Sequence, residues 1–180
     1  MDRKTRQLSL GGVLCALCVS VLFIGSFIPL SIGISLLVSG FCIMLIVAET
    51  GMRFGAAAYI AVSLISFFIL PDLLRTFAFA TAFGVYPLIK HLIERLPGRA
   101  LSYACKGITF TLLVALNLAV SIHVMGIPVG VDFLFLGQFG AMAAVFALQV
   151  AVFVAYDLSL TTLYSRYIVR WRSRLLKGGL

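Results

Sequence analysis

Apolar residues fall into six runs along the chain, at about 8–28, 32–48, 52–70, 72–93, 103–125 and 133–157. A helix needs roughly 20 apolar residues to cross the hydrocarbon core of a bilayer, and most of these runs meet that length. The second is the shortest and is expected to tilt little or to be shielded by its neighbours. Between the runs lie Pro29–Ser31, Glu49–Gly51, Pro71, Pro97–Gly98 and Pro128–Gly130, all of them turn chemistry. Within the fourth run, Gly84-Val85-Tyr86-Pro87 predicts a bend, because proline removes an amide donor and crowds the preceding turn. No internal repeat and no long linker interrupts the pattern. The expectation is an all-α integral membrane protein, a single compact bundle of six transmembrane helices over residues 1–180.

Two runs carry further pattern. On the first, Leu8 to Pro29, the small residues Gly12, Ala16 and Ser20 recur four apart and form a ridge on one helix face. Such a ridge lets another helix approach closely, either inside the bundle or from a partner. The last run passes into a basic amphipathic tail, 158–180. There Leu160, Leu163, Tyr164, Tyr167, Ile168, Trp171 and Leu175 recur at helical spacing, beside the ladder Arg166, Arg170 and Arg174. Anionic lipid headgroups at the cytoplasmic face relieve the repulsion within that ladder, and Tyr and Trp suit headgroup depth. Docking on a cytoplasmic partner is the other use of such a tail.

Composition narrows the class. Of 180 residues 62% are hydrophobic and 11% charged, with a mean hydropathy of +1.15. A soluble domain of this size could not hide so much apolar surface. The net charge of +8 then reads as membrane topology rather than as nucleic-acid binding. With the N-terminus in the cytoplasm, the inner segments hold Arg3, Lys4, Arg6, Arg53, Lys90, Arg95, Arg99, Lys106, Arg166, Arg170, Arg172, Arg174 and Lys177, 13 of the 14 cations. Only Arg75 falls outside. Positive charge stays inside, so both termini are expected in the cytoplasm. The first run is too long for a secretory signal core and lacks a convincing cleavage site, so a retained helix is expected.

Candidate chemistry is sparse. HExxH, GxSxG, Walker and paired intramembrane aspartate patterns are absent, and no enzyme is expected. Cys15 and Cys18 form a CxxC without further ligands, Cys42 and Cys105 lie in or beside apolar runs, and all four read as packing residues. No metal or other cofactor is implied. The outer half is richer in polar groups. Arg75 follows Asp72 by three residues, so the two can form a surface pair, or Arg75 can receive the acidic group of a ligand. Gln138, Gln149 and Tyr156 share one stripe of the last run, for interhelical hydrogen bonding or for lining a cavity. Asn117 and Ser121 share a face of the fifth, with His123 near its end, and Asp132 suits a helix cap. Together Arg75, Asn117, His123, Asp132, Gln138 and Gln149 are the candidate lining of an outward-facing pocket. Asp157 and Glu49 are expected to pair with nearby cations at the inner interface.

The opening Thr5-Arg6-Gln7-Leu8-Ser9-Leu10-Gly11-Gly12-Val13-Leu14-Cys15-Ala16-Leu17 resembles the first helix of the substrate-binding S components of energy-coupling factor (ECF) transporters. Size, span number and basic character are similar too. The resemblance implies a multi-pass subunit of a bacterial cell membrane that captures a small-molecule solute from outside. It also implies partners, a transmembrane coupling protein and ATPase subunits. The family's small-residue docking motif would map onto Gly12 and Ala16, or onto Ala16 and Ser20. The chain also resembles, less specifically, small membrane proteins of Gram-positive bacteria with no assigned role. The alternative reading is a non-transporting membrane scaffold similar to the MreD-type shape-determining proteins, which have comparable size and span number.

Overall fold

The computed structural model describes residues 3–28, 31–94, 99–123 and 137–167. Every regular element among them is helical: α1 (Arg3–Ser26), α2 (Ile32–Thr50), α3 (Met52–Ile69), α4 (Leu73–Ala78), a π-helical turn (Phe79–Phe83), α5 (Tyr86–Ile93), α6 (Arg99–His123) and α7 (Gly137–Arg166). Five stretches are long and apolar enough to cross a membrane: Gln7–Ser26, Ile32–Thr50, Met52–Ile69, Leu73–Ile93 and Phe146–Arg166. In α6 the apolar stretch is shorter, Ala104–Asn117. Arg99, Ser102 and Lys106 at one end and Asn117, Ser121 and His123 at the other trim it. Multiple long apolar helices of this kind are those of a multi-pass membrane protein.

Helix α2 lies at the centre and touches α1, α3, α5, the π turn and α7. One buried cluster joins Cys18 and Leu22 of α1 to Leu36, Ile43 and Val47 of α2 and Val62 of α3. A second joins Tyr86, Val114, Phe153, Tyr156 and Leu160 beneath α2. The Cys18 thiol donates to the Ser39 carbonyl, 3.6 Å away. The ridge Gly12, Ala16 and Ser20 takes no part in this core. All three residues are exposed, and nothing stands within contact distance of a Cβ placed on Gly12. The reason is angular: Cys18, at the centre of α1's packed face, lies about 200° around the helix from Ala16.

Between α4 and α5 the helix breaks, and two of the freed carbonyls accept tyrosine hydroxyls from other helices. The Gly84 amide reaches back to the Phe79 carbonyl (2.7 Å), one residue beyond its α-helical acceptor, Ala80. The Ala80 carbonyl instead accepts the Tyr59 hydroxyl of α3. Pro87 has no amide hydrogen to give the Phe83 carbonyl, which accepts the Tyr156 hydroxyl of α7 (2.7 Å). Gly40 of α2 makes room for that bond, since a Cβ there would fall on the Tyr156 hydroxyl and 2.9 Å from the Phe83 oxygen. In lipid such backbone accounting is obligatory, because no water is at hand to satisfy a broken helix.

Two hydrogen bonds define one end of the bundle. Gln7 donates its amide to the Glu49 carbonyl (3.0 Å), and Tyr167 donates to a Glu49 carboxylate oxygen (3.1 Å). They bring the start of α1, the end of α2 and the end of α7 together. Helix α7 runs without a break from 137 to 166, so the first part of the amphipathic tail is a direct continuation of the last helix.

Candidate functional site

At the opposite end, Pro71 stops α3 and Asp72 caps α4 by accepting the Arg75 amide (3.2 Å). The Thr76 hydroxyl adds a bond to the Asp72 carbonyl (3.0 Å). This cap directs the Arg75 side chain inward, where only 1% of its surface is exposed. The Asp72 carboxylate stands 3.4 Å from Arg75 Nε as an ion pair. The pair expected at the surface is thus formed with a buried arginine. Neither Nε nor Nη1 has a hydrogen-bond partner among the described residues. Nη1 lies against Gly25, where a Cβ would come within 2.6 Å of it, and Ser35 of α2 borders the same spot. Helices α1, α2 and α4 therefore meet around a guanidinium.

That arrangement is costly in isolation. Each buried donor left unmade costs about 1–3 kcal/mol, and a buried cation costs several more unless closely paired. A planar guanidinium is built to hold a carboxylate or phosphate through two parallel N–H donors. Arg75 leaves one donor of each such edge, Nε and Nη1, without a hydrogen-bond partner among the described residues.

The other expected site residues are dispersed. Asn117 of α6 donates to the Thr81 hydroxyl on the π turn (3.2 Å), and Thr81 in turn donates to the Phe77 carbonyl (2.7 Å). Asn117 therefore braces the broken helix from the α6 side, whereas Arg75 turns toward α1 and α2. Gln149 is half-buried, with an amide oxygen that has no partner among the described residues. Tyr156, on the same stripe, is spent on the Phe83 carbonyl. Asp132 lies outside the described residues, as do the side chains of His123 and Gln138. The docking candidates Gly12, Ala16 and Ser20 face outward together.

A second polar centre joins α5, α6 and α7. Lys90, fully buried, pairs with the Asp157 carboxylate and donates to the Thr161 hydroxyl (2.6 Å) and the Asp157 carbonyl (3.2 Å). Tyr86 donates to the same carboxylate (2.7 Å), and Lys106 approaches it to 3.5 Å. Glu94 lies 3.7 Å from both lysines. Among the described residues two cations face two anions, and every donor of Lys90 is used. It clamps three helices. The sequence carries its signal in Tyr86, Lys90 and Glu94, spaced four apart on one face, opposite Asp157 and Thr161 with the same spacing. The expected pairing of Asp157 with nearby cations is formed here, by Lys90 and Lys106, whereas the charge pattern alone marks Lys90 only as a topology charge.

No family model, curated protein or solved structure matches this chain.

Proposed function

We propose that the chain is a solute-binding subunit of a bacterial membrane importer of the ECF type, capturing a small anionic molecule rather than catalysing a reaction. In this reading α6 completes six spans, both termini are cytoplasmic, and the end of the bundle that holds Arg75 faces outward. The supporting observation is the buried Arg75 guanidinium, whose Nε and Nη1 have no hydrogen-bond partner among the described residues. Asn117, His123, Asp132, Gln138 and Gln149 are proposed to complete the pocket. The outward-turned ridge Gly12, Ala16 and Ser20 suits a docking face for the transmembrane coupling protein, which would in turn engage the ATPase subunits.

That ridge equally suits a non-transporting scaffold similar to the MreD type, whose partners would pack on the same face. Purification of the intact protein from its native membrane separates the two readings. An importer subunit brings down a coupling protein and ATPases and retains an anionic small molecule, which Arg75→Gln loses. Recovery with neither ATPases nor solute would sink the importer reading.

A further inference from the structure

The end of the bundle that holds Glu49 carries a groove of about 640 Å³, lined by Thr5, Gln7 and Leu8 of α1, Thr50 of α2 and Phe54 of α3. Leu8 and Phe54 are 67% and 57% exposed along it. We propose that this groove is a binding site for one anionic phospholipid, its phosphate held at the polar rim and an acyl chain laid against Leu8 and Phe54.

Charge argues for the anion. Among the described acids, Asp72 pairs with Arg75 at the far end of the bundle. Asp157 and Glu94 are matched to Lys90 and Lys106. Glu49 is the remaining acid, and its carboxylate accepts the Tyr167 hydroxyl. Against it stand Arg53, which opens α3 next to Phe54, and Arg166 at the end of α7. Both are exposed and neither has an ion-pair partner among the described residues. The first turn of α1 adds Arg3, Lys4 and Arg6 in sequence beside Thr5. Arg53 and Arg166 thus leave a surplus of positive charge at the end of the bundle that holds the groove, whose lining is apolar at Leu8 and Phe54 and hydroxyl- or amide-bearing at Thr5, Gln7 and Thr50. A phosphodiester with hydrocarbon attached matches both halves. A zwitterionic lipid brings a cation of its own into the surplus, and a soluble phosphate leaves Leu8 and Phe54 uncovered.

The test is competitive lipid retention by the full-length protein in mild detergent, read by native mass spectrometry. Phosphatidylglycerol and phosphatidylcholine with identical chains are supplied in equal amounts. Each cation near a headgroup contributes about 1 kcal/mol, a factor of about five, so wild type retains phosphatidylglycerol over phosphatidylcholine by more than about fivefold. Arg53→Gln, an exposed change that leaves the core intact, lowers that ratio about fivefold. Phe54→Ser lowers retention of both lipids while keeping their ratio, and soluble glycerol phosphate displaces neither. Equal retention of the two lipids by wild type overturns the proposal, as does an undiminished preference in Arg53→Gln. A disulfide formed between copies of Phe54→Cys in native membranes also overturns it, because the groove would then be a self-contact.

Discussion

The Tyr156 hydroxyl donates to the one carbonyl, that of Phe83, which Pro87 leaves without its helical donor. A proline break in the fourth helix and a tyrosine on α7 are therefore two halves of a single feature, with Gly40 giving them space. Tyr156→Phe leaves a buried carbonyl unpaired and is expected to cost about 1–2 kcal/mol in unfolding measurements in mixed micelles. Pro87→Ala restores an amide donor, so the cost of Tyr156→Phe should shrink in that background. An unchanged cost in the double-mutant cycle would separate the proline from the tyrosine.

Gly40→Ala tests the same junction from α2. The added methyl collides with the hydroxyl and approaches the Phe83 oxygen to 2.9 Å, so α2 and α7 must part or the bond must break. Overpacking of this kind costs about 1–3 kcal/mol. Combined with Tyr156→Phe, which removes the colliding oxygen, Gly40→Ala should lose much of its effect. Full additivity of the two changes would place the strain elsewhere.

The Lys90 clamp predicts asymmetric damage. Lys90→Met deprives Asp157 of its main counter-ion, and Asp157→Asn strands a fully buried ammonium with Glu94 at 3.7 Å. Removing one partner of a buried pair costs about 3–5 kcal/mol, whereas replacing both by apolar residues is often neutral. The double variant Lys90→Met/Asp157→Leu should therefore recover most of the stability that either single change loses. Thermal unfolding in detergent reads this, and a double variant worse than both singles would contradict it.

Hydrophobic run length alone marks most of the helices, because a bilayer demands about 20 apolar residues and leaves little else free. The Gly84–Pro87 break is legible for the same reason, as proline chemistry is local. What completes it is not local. Tyr59 and Tyr156 reach the freed carbonyls from distant helices, and no spacing rule ties residue 156 to residue 83. The ridge on α1 is legible as a pattern, but its direction depends on which face Cys18 and Leu22 bury. Arg75 could be singled out as the outer cation, yet its burial follows from Gly25 and Ser35, far apart in sequence. Lys90 escaped because positive charge near a membrane end usually means topology. Here one such charge turns inward to Asp157.

The exposed ridge gives a prediction about assembly rather than stability. Ala16→Leu adds bulk on a face that is exposed among the described residues, while Cys18 and Leu22 carry the packing. Insertion and melting temperature should stay at wild-type values. Co-purification of a membrane partner should fall, because small residues are what permit close helix approach. Loss of folded protein, with no selective loss of partner, would return the ridge to an internal packing role.

Arg75 and Asp72 predict a trade between stability and binding. Asp72→Asn keeps a good helix cap while removing the counter-charge 3.4 Å from Nε, so its effect isolates the electrostatic part. With the guanidinium still buried, this variant should be less stable than wild type by about 1–3 kcal/mol. Arg75→Met removes the buried charge together with its orphaned donors, and the ligand-free protein should match or exceed wild type in thermal stability. The same change should abolish stabilisation by any carboxylate that protects the wild type, since the N–H donors are gone. An Arg75→Met protein that melts well below wild type would mean that the chain itself satisfies the guanidinium, for instance through the carboxylate of Asp132. Asp132→Asn would then cause an equal loss, and Arg75 would be a structural residue.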